Sequence, residues 1–124
     1  MKKLFLPLLA LALVSVAGAT ASAQSTTAPA SVIHVVTVSW KAGTTPEQIQ
    51  AALDAVKKLP EQYKGITRVW TKSIKVQGGK ANAIVMEFAD EAALKAYSES
   101  PAQKEWYKVY APIRGESTTF DITN

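Results

Sequence analysis

The stretch Val32–Trp40 constrains the fold more than any other part of the sequence, because it is apolar on both sides. Its residues, Val-Ile-His-Val-Val-Thr-Val-Ser-Trp, are mostly β-branched or aromatic, which is typical of a β-strand. Side chains of a strand point alternately to opposite faces, and neither alternate set here carries a Lys, Arg, Asp or Glu. A strand with one wet face alternates apolar and polar residues instead. The sequence therefore predicts a central strand covered on both faces.

The N-terminal part of the chain has the features of a secretory signal peptide. Two lysines follow Met1, an apolar run starts at Leu4, and Ala21-Ser22-Ala23 fits the small-x-small rule for cleavage. The alternative is a membrane anchor, but the apolar run is short for a membrane span. We therefore predict cleavage before Gln24.

This assignment predicts three segments in the 124-residue chain. Residues 1–23 are the signal peptide, residues 24–31 are a polar flexible linker, and residues 32–124 are one small domain. Export predicts a periplasmic or secreted protein that has no membrane attachment after cleavage.

Composition excludes several classes of function. The chain has no cysteine, so an exported fold cannot rely on disulfides. The 14 basic residues fall to 12 when Lys2 and Lys3 leave with the signal, against 10 acidic residues, so no nucleic-acid partner is predicted. A single histidine without cysteine offers no zinc ligand set, and no phosphate-binding loop is present. We predict no metal and no cofactor.

The remaining segments alternate between helix and strand signals. Thr45-Pro46-Glu47-Gln48 is a capping box followed by apolar residues at helical spacing, and Ser100-Pro101-Ala102-Gln103 repeats the same start. The predicted elements after the first strand are a helix from Pro46 to about Leu59, strands over Ile66–Val76 and Ala81–Phe88, a helix from Asp90 that restarts at Pro101, and a strand over Thr118–Thr123.

The order β-α-β-β-α-β predicts a ferredoxin-like α+β fold. Its antiparallel, four-stranded sheet has the first and third strands in the centre and both helices on one face. The other face of the sheet would be bare in a monomer, and it would carry an apolar patch too large to leave in water. The sequence therefore predicts a homodimer in which sheet packs against sheet.

Several stretches of the chain resemble the stress-responsive A/B barrel (Dabb) family of dimeric α+β barrels. The resemblance is carried by Val32–Trp40 with the following Gly-Thr-Thr-Pro-Glu-Gln-Ile, by Leu59-Pro60 before Gly65-Ile66, by Ala83–Phe88, by Ala96–Ala102 and by Phe120-Asp121. It covers nearly all of the predicted domain. The resemblance implies homodimers whose two sheets enclose a barrel with a cavity.

An enzymatic relative, a plant polyketide cyclase, uses a Tyr-x-x-His-Pro-Ala-His stretch for acid–base chemistry. Tyr97 matches its tyrosine, but Ser100 and Gln103 stand where its two histidines would be, and Asn82 stands at a further histidine position. Only His34 keeps the family identity. Glutamine cannot take up and return a proton at neutral pH, so cyclase chemistry of the plant type is not predicted.

Five residues form the predicted ligand-binding site: His34, Asn82, Tyr97, Gln103 and Trp106. His34 is either a cavity-lining acid–base group or a buried structural histidine. Trp106 is either a core residue or part of the pocket wall, and the same two roles are open for Tyr97. In the pocket, the Tyr97 hydroxyl would donate a hydrogen bond to the ligand.

The function predicted from the sequence is that of an exported stress-responsive Dabb-type homodimer. It would bind a small apolar or aromatic molecule in the barrel cavity without catalysis. One alternative is a small cyclase- or monooxygenase-like enzyme that uses His34 and Tyr97. The second alternative is a filled barrel that serves as a structural or interaction module.

Overall fold

The computed structural model describes residues 30–124, so the predicted signal peptide and most of the predicted linker lie outside the described residues. The elements in chain order are β1 (Val32–Trp40), α1 (Pro46–Lys57), α2 (Leu59–Gln62), β2 (Ile66–Trp70), β3 (Asn82–Phe88), α3 (Glu91–Tyr97), α4 (Pro101–Tyr110) and β4 (Arg114–Ile122). The four strands form one antiparallel sheet in the order β2-β3-β1-β4. This confirms the predicted ferredoxin-like fold.

The helix starts follow the capping signals in the sequence. The Thr45 side chain accepts a hydrogen bond from the Gln48 N–H at 3.2 Å, and the Gln48 side chain accepts one from the Thr45 N–H at 2.9 Å. Ser100 likewise accepts from the Gln103 N–H and separates α3 from α4. These caps satisfy backbone donors that have no partner inside the helix. The bend between α3 and α4 is thereby placed where the sequence predicts it.

One face of the sheet packs on the helices and forms the core. Val36 and Val38 of β1 face the helices together with Ile84, Met86 and Phe88 of β3, and all five are buried. The helices contribute the following buried side chains to the same core: Ala52, Leu53, Val56, Leu59, Tyr97, Ala102, Trp106 and Tyr110.

Strand β2 is shorter than predicted, because it ends at Trp70 and Thr71–Ala81 is irregular. A register shift between Ile66 and Arg68 also changes which face of the sheet the following side chains occupy. Ile66 points to the helices, whereas Arg68 and Trp70 point to the open side of the sheet. Strict alternation along the predicted strand Ile66–Val76 puts these three side chains on one face, and this expectation is wrong because a bulge breaks the alternation. The prediction of an edge strand is confirmed.

Two element boundaries and the burial of one residue also differ from the sequence prediction. Helix α1 ends at Lys57, and Pro60 lies within the separate short helix α2 instead of ending α1. Strand β4 starts at Arg114, four residues before the predicted Thr118. The helical spacing of Val109 from Trp106 predicts that it lies on the apolar face of α4, but it is 40% exposed.

The sheet face opposite the helices is open and apolar. Trp70, Val85, Val35 and Phe120 form a row across all four strands, because Val85 pairs with both Trp70 and Val35, and Val35 pairs with Phe120. Trp70 is 45% exposed and Phe120 is 53% exposed. We call this surface the open face. Among residues 30–124, none of the helices is long and apolar enough to cross a membrane.

Candidate ligand pocket

A small polar pocket lies between α4 and the β1–β4 edge of the sheet. Its volume is about 100 Å³. Its walls combine ring, amide, guanidinium and hydroxyl groups with one aliphatic side chain, and the lining residues are His34, Val36, Gln103, Trp106, Tyr107, Tyr110, Arg114, Ser117 and Thr119. We call this site the α4 pocket.

Strand alternation and register bring these groups together. His34 is even-numbered on β1, so it lies on the same side of the sheet as Val36 and faces the helices. Thr119 on β4 pairs with Val36, and Asp121 pairs with His34. The edge strand therefore lines the site with short polar side chains, where a central strand would place apolar ones.

His34 is held by a carboxylate from β4. Its Nδ1 lies 2.5 Å from Asp121 Oδ1, and the two side chains are 16% and 45% exposed. The carboxylate accepts from the ring, so the neutral imidazole carries its proton on Nδ1 and leaves Nε2 as an acceptor. The Phe88 ring meets the imidazole edge-on at a centroid distance of 5.9 Å. These contacts fix the tautomer and the orientation of the ring.

Tyr110 presents a buried hydroxyl to the pocket, and no acceptor among residues 30–124 receives its proton. The Arg114 guanidinium lies over the ring, 5.7 Å from its centroid. Burial raises the pKa of Tyr110 to about 12. The phenol therefore stays protonated at neutral pH, and its hydroxyl is a donor that lacks an acceptor. An unsatisfied buried hydroxyl is costly, so the site favours a polar occupant.

Gln103 contributes a side-chain amide whose oxygen already accepts a hydrogen bond. Its Oε1 accepts a hydrogen bond of 2.7 Å from the N–H of Glu99, a non-glycine residue with φ of 66°. The side-chain NH₂ group of Gln103 is left to serve the α4 pocket. Together with the Tyr110 hydroxyl, it makes a pair of donors that suits a carbonyl or carboxylate oxygen.

A larger groove adjoins the α4 pocket beneath α3. It has a volume of about 530 Å³ and contains Asp121, the partner of His34. Val32, Ala92 and Leu94 give it an apolar wall, and Glu91 and Lys95 stand at its polar side. The His34–Asp121 pair thus lies between a small polar pocket and a larger, more apolar groove.

The structure brings three of the five predicted site residues together. His34, Gln103 and Trp106 line the α4 pocket. Trp106 is also core, since it is 4% exposed. Tyr97 packs against Tyr63 and Phe88 and does not line the pocket. Asn82 accepts a hydrogen bond from the Trp40 indole and lines a different groove.

Tyr97 allows a direct test of this placement. Its hydroxyl is buried without a partner among the described residues, and burial raises its pKa well above the usual range. Removing an unsatisfied buried hydroxyl costs nothing in hydrogen bonding. We expect Tyr97→Phe to leave the free energy of unfolding unchanged or to raise it by up to about 1 kcal/mol, measured by chemical denaturation. A loss of more than about 1 kcal/mol would show a hydrogen bond at this hydroxyl that the structure lacks.

Asp121, Ser117 and Thr119 were not predicted as site residues. They are short polar groups, and only the pairing of β4 with β1 shows that Ser117 and Thr119 face the pocket and that Asp121 meets His34. The sequence did contain one signal. Phe120 and Ile122 alternate along the strand, so Thr119 and Asp121 must face the opposite side of the sheet. Within the described range, no three His, Asp or Glu side chains are close enough to hold a metal ion.

The fold and the pocket together define a ferredoxin-like α+β domain with one helix-covered and one open sheet face. The family model of the Stress Responsive A/B Barrel Domain (Dabb) matches residues 32–124. The chain belongs to this family, which confirms the resemblance seen in the sequence. No protein of curated function matches the chain in sequence.

Solved structures with the same fold include both plant and bacterial proteins. A hydroxynitrile lyase from Passiflora edulis is 17% identical, with a TM-score of 0.69 over 77% of this chain and 94% of that chain. A Dabb family protein with a ferredoxin-like fold from Mesorhizobium loti is 21% identical, with a TM-score of 0.64 over 76% of this chain and 96% of that chain. A dimeric ferredoxin-like protein from Thermobifida fusca is 18% identical, with a TM-score of 0.65 over 77% of this chain and 92% of that chain.

Proposed function

We propose that this protein is an exported Dabb-type homodimer that binds a small molecule in the α4 pocket. The observation that carries the proposal is the Tyr110 hydroxyl, which is buried in the pocket without an acceptor for its proton among residues 30–124. A bound carbonyl or carboxylate oxygen supplies the missing acceptor, and the Gln103 amide and Arg114 add donors beside it.

The size of the two cavities indicates the shape of the ligand. The α4 pocket, at about 100 Å³, holds only a small polar group. The adjoining groove of about 530 Å³ has room for an apolar or aromatic body against Val32 and Leu94. The proposed ligand is therefore a small aromatic or apolar molecule with one carbonyl or carboxylate end. A mainly apolar site with a few placed polar groups is the usual form of a ligand site.

Two further features of the proposal have independent support. Export is supported by the signal-peptide pattern over residues 1–23. The homodimer is supported by the apolar open face and by the dimeric ferredoxin-like neighbours, including the Thermobifida fusca protein.

The binding proposal predicts different results for two matched tyrosines. Tyr97 and Tyr110 are both buried, and both hydroxyls lack an acceptor in the described part of the chain, but only Tyr110 lines the pocket. A thermal-shift screen of small aromatic carboxylates and aldehydes would first supply a ligand. We then expect Tyr110→Phe to weaken its binding by about fivefold to tenfold, measured by calorimetry, because one hydrogen bond is lost. Tyr97→Phe is the control and should bind as the wild type does.

Equal weakening by Tyr97→Phe would restore the prediction made from the sequence, in which Tyr97 donates to the ligand. A screen without a single stabilising compound, repeated at high ligand concentration, would favour the structural or interaction module instead. His34→Gln adds a third comparison, because glutamine keeps hydrogen-bonding groups near Asp121 but cannot transfer a proton.

A second function is favoured by the contact between His34 and Asp121. A histidine oriented by a carboxylate, with Nε2 free, is an arrangement suited to general acid–base catalysis. A proton-transfer enzyme would lose about 10²-fold or more of its turnover in His34→Gln while it still binds substrate. A binding protein would show no turnover in either form. Tyr97 has no part in this enzyme hypothesis, because it lies outside the pocket.

A further inference from the structure

A second polar groove lies on the same helix-covered side of the sheet as the α4 pocket, between α1, the irregular segment after β2 and the start of β3. It has a volume of about 380 Å³. Its polar lining consists of two lysines, two hydroxyl residues and two amides: Lys57, Lys72, Thr71, Ser73, Gln50 and Asn82. No Asp or Glu belongs to the lining. We call this site the α1 groove.

The orientation of Asn82 is set by its neighbour. The Trp40 Nε1–H donates to Asn82 Oδ1 at 2.9 Å. An indole nitrogen can only donate, so the amide oxygen must face Trp40. The NH₂ group is consequently the end of Asn82 that is left for the α1 groove. Asn82 can donate or accept as far as the sequence shows, but in this structure it can only donate to the α1 groove.

The charges around the α1 groove are also arranged for an anion. Lys57 Nζ and Gln50 Nε2 both contact Asp54 Oδ1, at 3.1 Å and 2.8 Å, so this carboxylate outside the lining is already paired. Lys72 forms no ion pair with any of residues 30–124. Lys72 and the Asn82 NH₂ group thus provide one free positive charge and oriented amide donors in the same groove.

We propose that the α1 groove binds a small oxyanion of double negative charge, such as a phosphate group, with Lys72 and Asn82 as its principal contacts. The ammonium group supplies charge, and the amide supplies directed hydrogen bonds. The Thr71 hydroxyl stands beside them, whereas the Ser73 hydroxyl is already bonded to the Ala83 backbone. The site lies on the helix side of the sheet, so it stays accessible when the open face is covered. It does not depend on the ligand proposed for the α4 pocket.

The test is a titration of the purified, isotope-labelled protein with inorganic phosphate at constant ionic strength, followed by amide NMR. We expect saturable shifts of the Asn82 side-chain NH₂ signals. Lys72→Gln should weaken binding by about fivefold or more, because one charge-assisted contact is lost. Asn82→Asp should abolish saturation, since the carboxylate still accepts from Trp40 but repels the anion.

Lys75→Gln is the matched control, because Lys75 is an exposed lysine of the same irregular segment that does not line the groove. It should bind phosphate as the wild type does. Linear shifts without saturation, or equal weakening by Lys75→Gln and Lys72→Gln, would overturn the proposal in favour of general surface charge. Glycerol phosphate in a parallel titration distinguishes the two sources of the oxyanion. Tighter binding of the ester indicates the end group of a larger molecule, and equal binding indicates the free ion.

Discussion

Replacing Trp106 with alanine is expected to lower the free energy of unfolding by about 3–5 kcal/mol. The indole is 4% exposed and stacks on the Tyr110 ring, with centroids 4.3 Å apart and planes 13° from parallel. Its Nε1–H also donates to the Ala52 carbonyl at 3.1 Å, which ties α4 to α1. A domain of this size has a total stability of about 5–15 kcal/mol, so the substitution removes a large share.

Chemical denaturation followed by circular dichroism measures this loss. Trp106→Phe is a graded variant, since it keeps an aromatic ring beside Tyr110 but gives up the hydrogen bond to Ala52, and about 1 kcal/mol is expected. Val109→Ala, a change at a 40% exposed position of the same helix, should stay within about 0.5 kcal/mol of the wild type. An unfolding midpoint unchanged by Trp106→Ala would mean that the indole is a pocket wall and not a part of the core.

The helix starts and the central position of β1 could be predicted from the sequence, because neighbouring residues determine them. Thr45 and Ser100 start helices because their side chains accept hydrogen bonds from residues three positions ahead, and this pattern is visible in the sequence. The central position of β1 followed from the absence of charge on either of its faces. The end of β2 did not follow, because the register shift after Ile66 depends on pairing with β3 and not on the residues of β2 alone.

The candidate site was only partly predictable for the same reason. His34 stood out as the single histidine on a strand, but its partner Asp121 lies 87 residues away and is identified only by the register of β4. Tyr97 and Tyr110 are chemically identical, and both sit on apolar helix faces. Both rings belong to the core, but only Tyr110, which follows the break between α3 and α4, also lines the α4 pocket, and that geometry arises from tertiary packing.

A lysine at Val35 is expected to convert the proposed homodimer into a monomer. Val35 lies at the centre of the row that crosses the open face, paired with Val85 on one side and with Phe120 on the other. In a two-fold symmetric interface each substitution occurs twice, so two ammonium groups would be buried without partners. That cost is large compared with the association energy of a standard interface of about 1,600 Å².

Light scattering coupled to size-exclusion chromatography, at micromolar protein concentration, decides this prediction. The monomeric fold should survive Val35→Lys, because the side chain points away from the helices and the ammonium group can reach water on an uncovered sheet face. Val109→Lys is the matched control, since it makes the same substitution at an exposed site on α4, remote from the open face. It should remain dimeric. A wild-type protein that is already monomeric, or a Val35→Lys variant that still elutes as a dimer, would show that the open face is not the surface through which two copies meet.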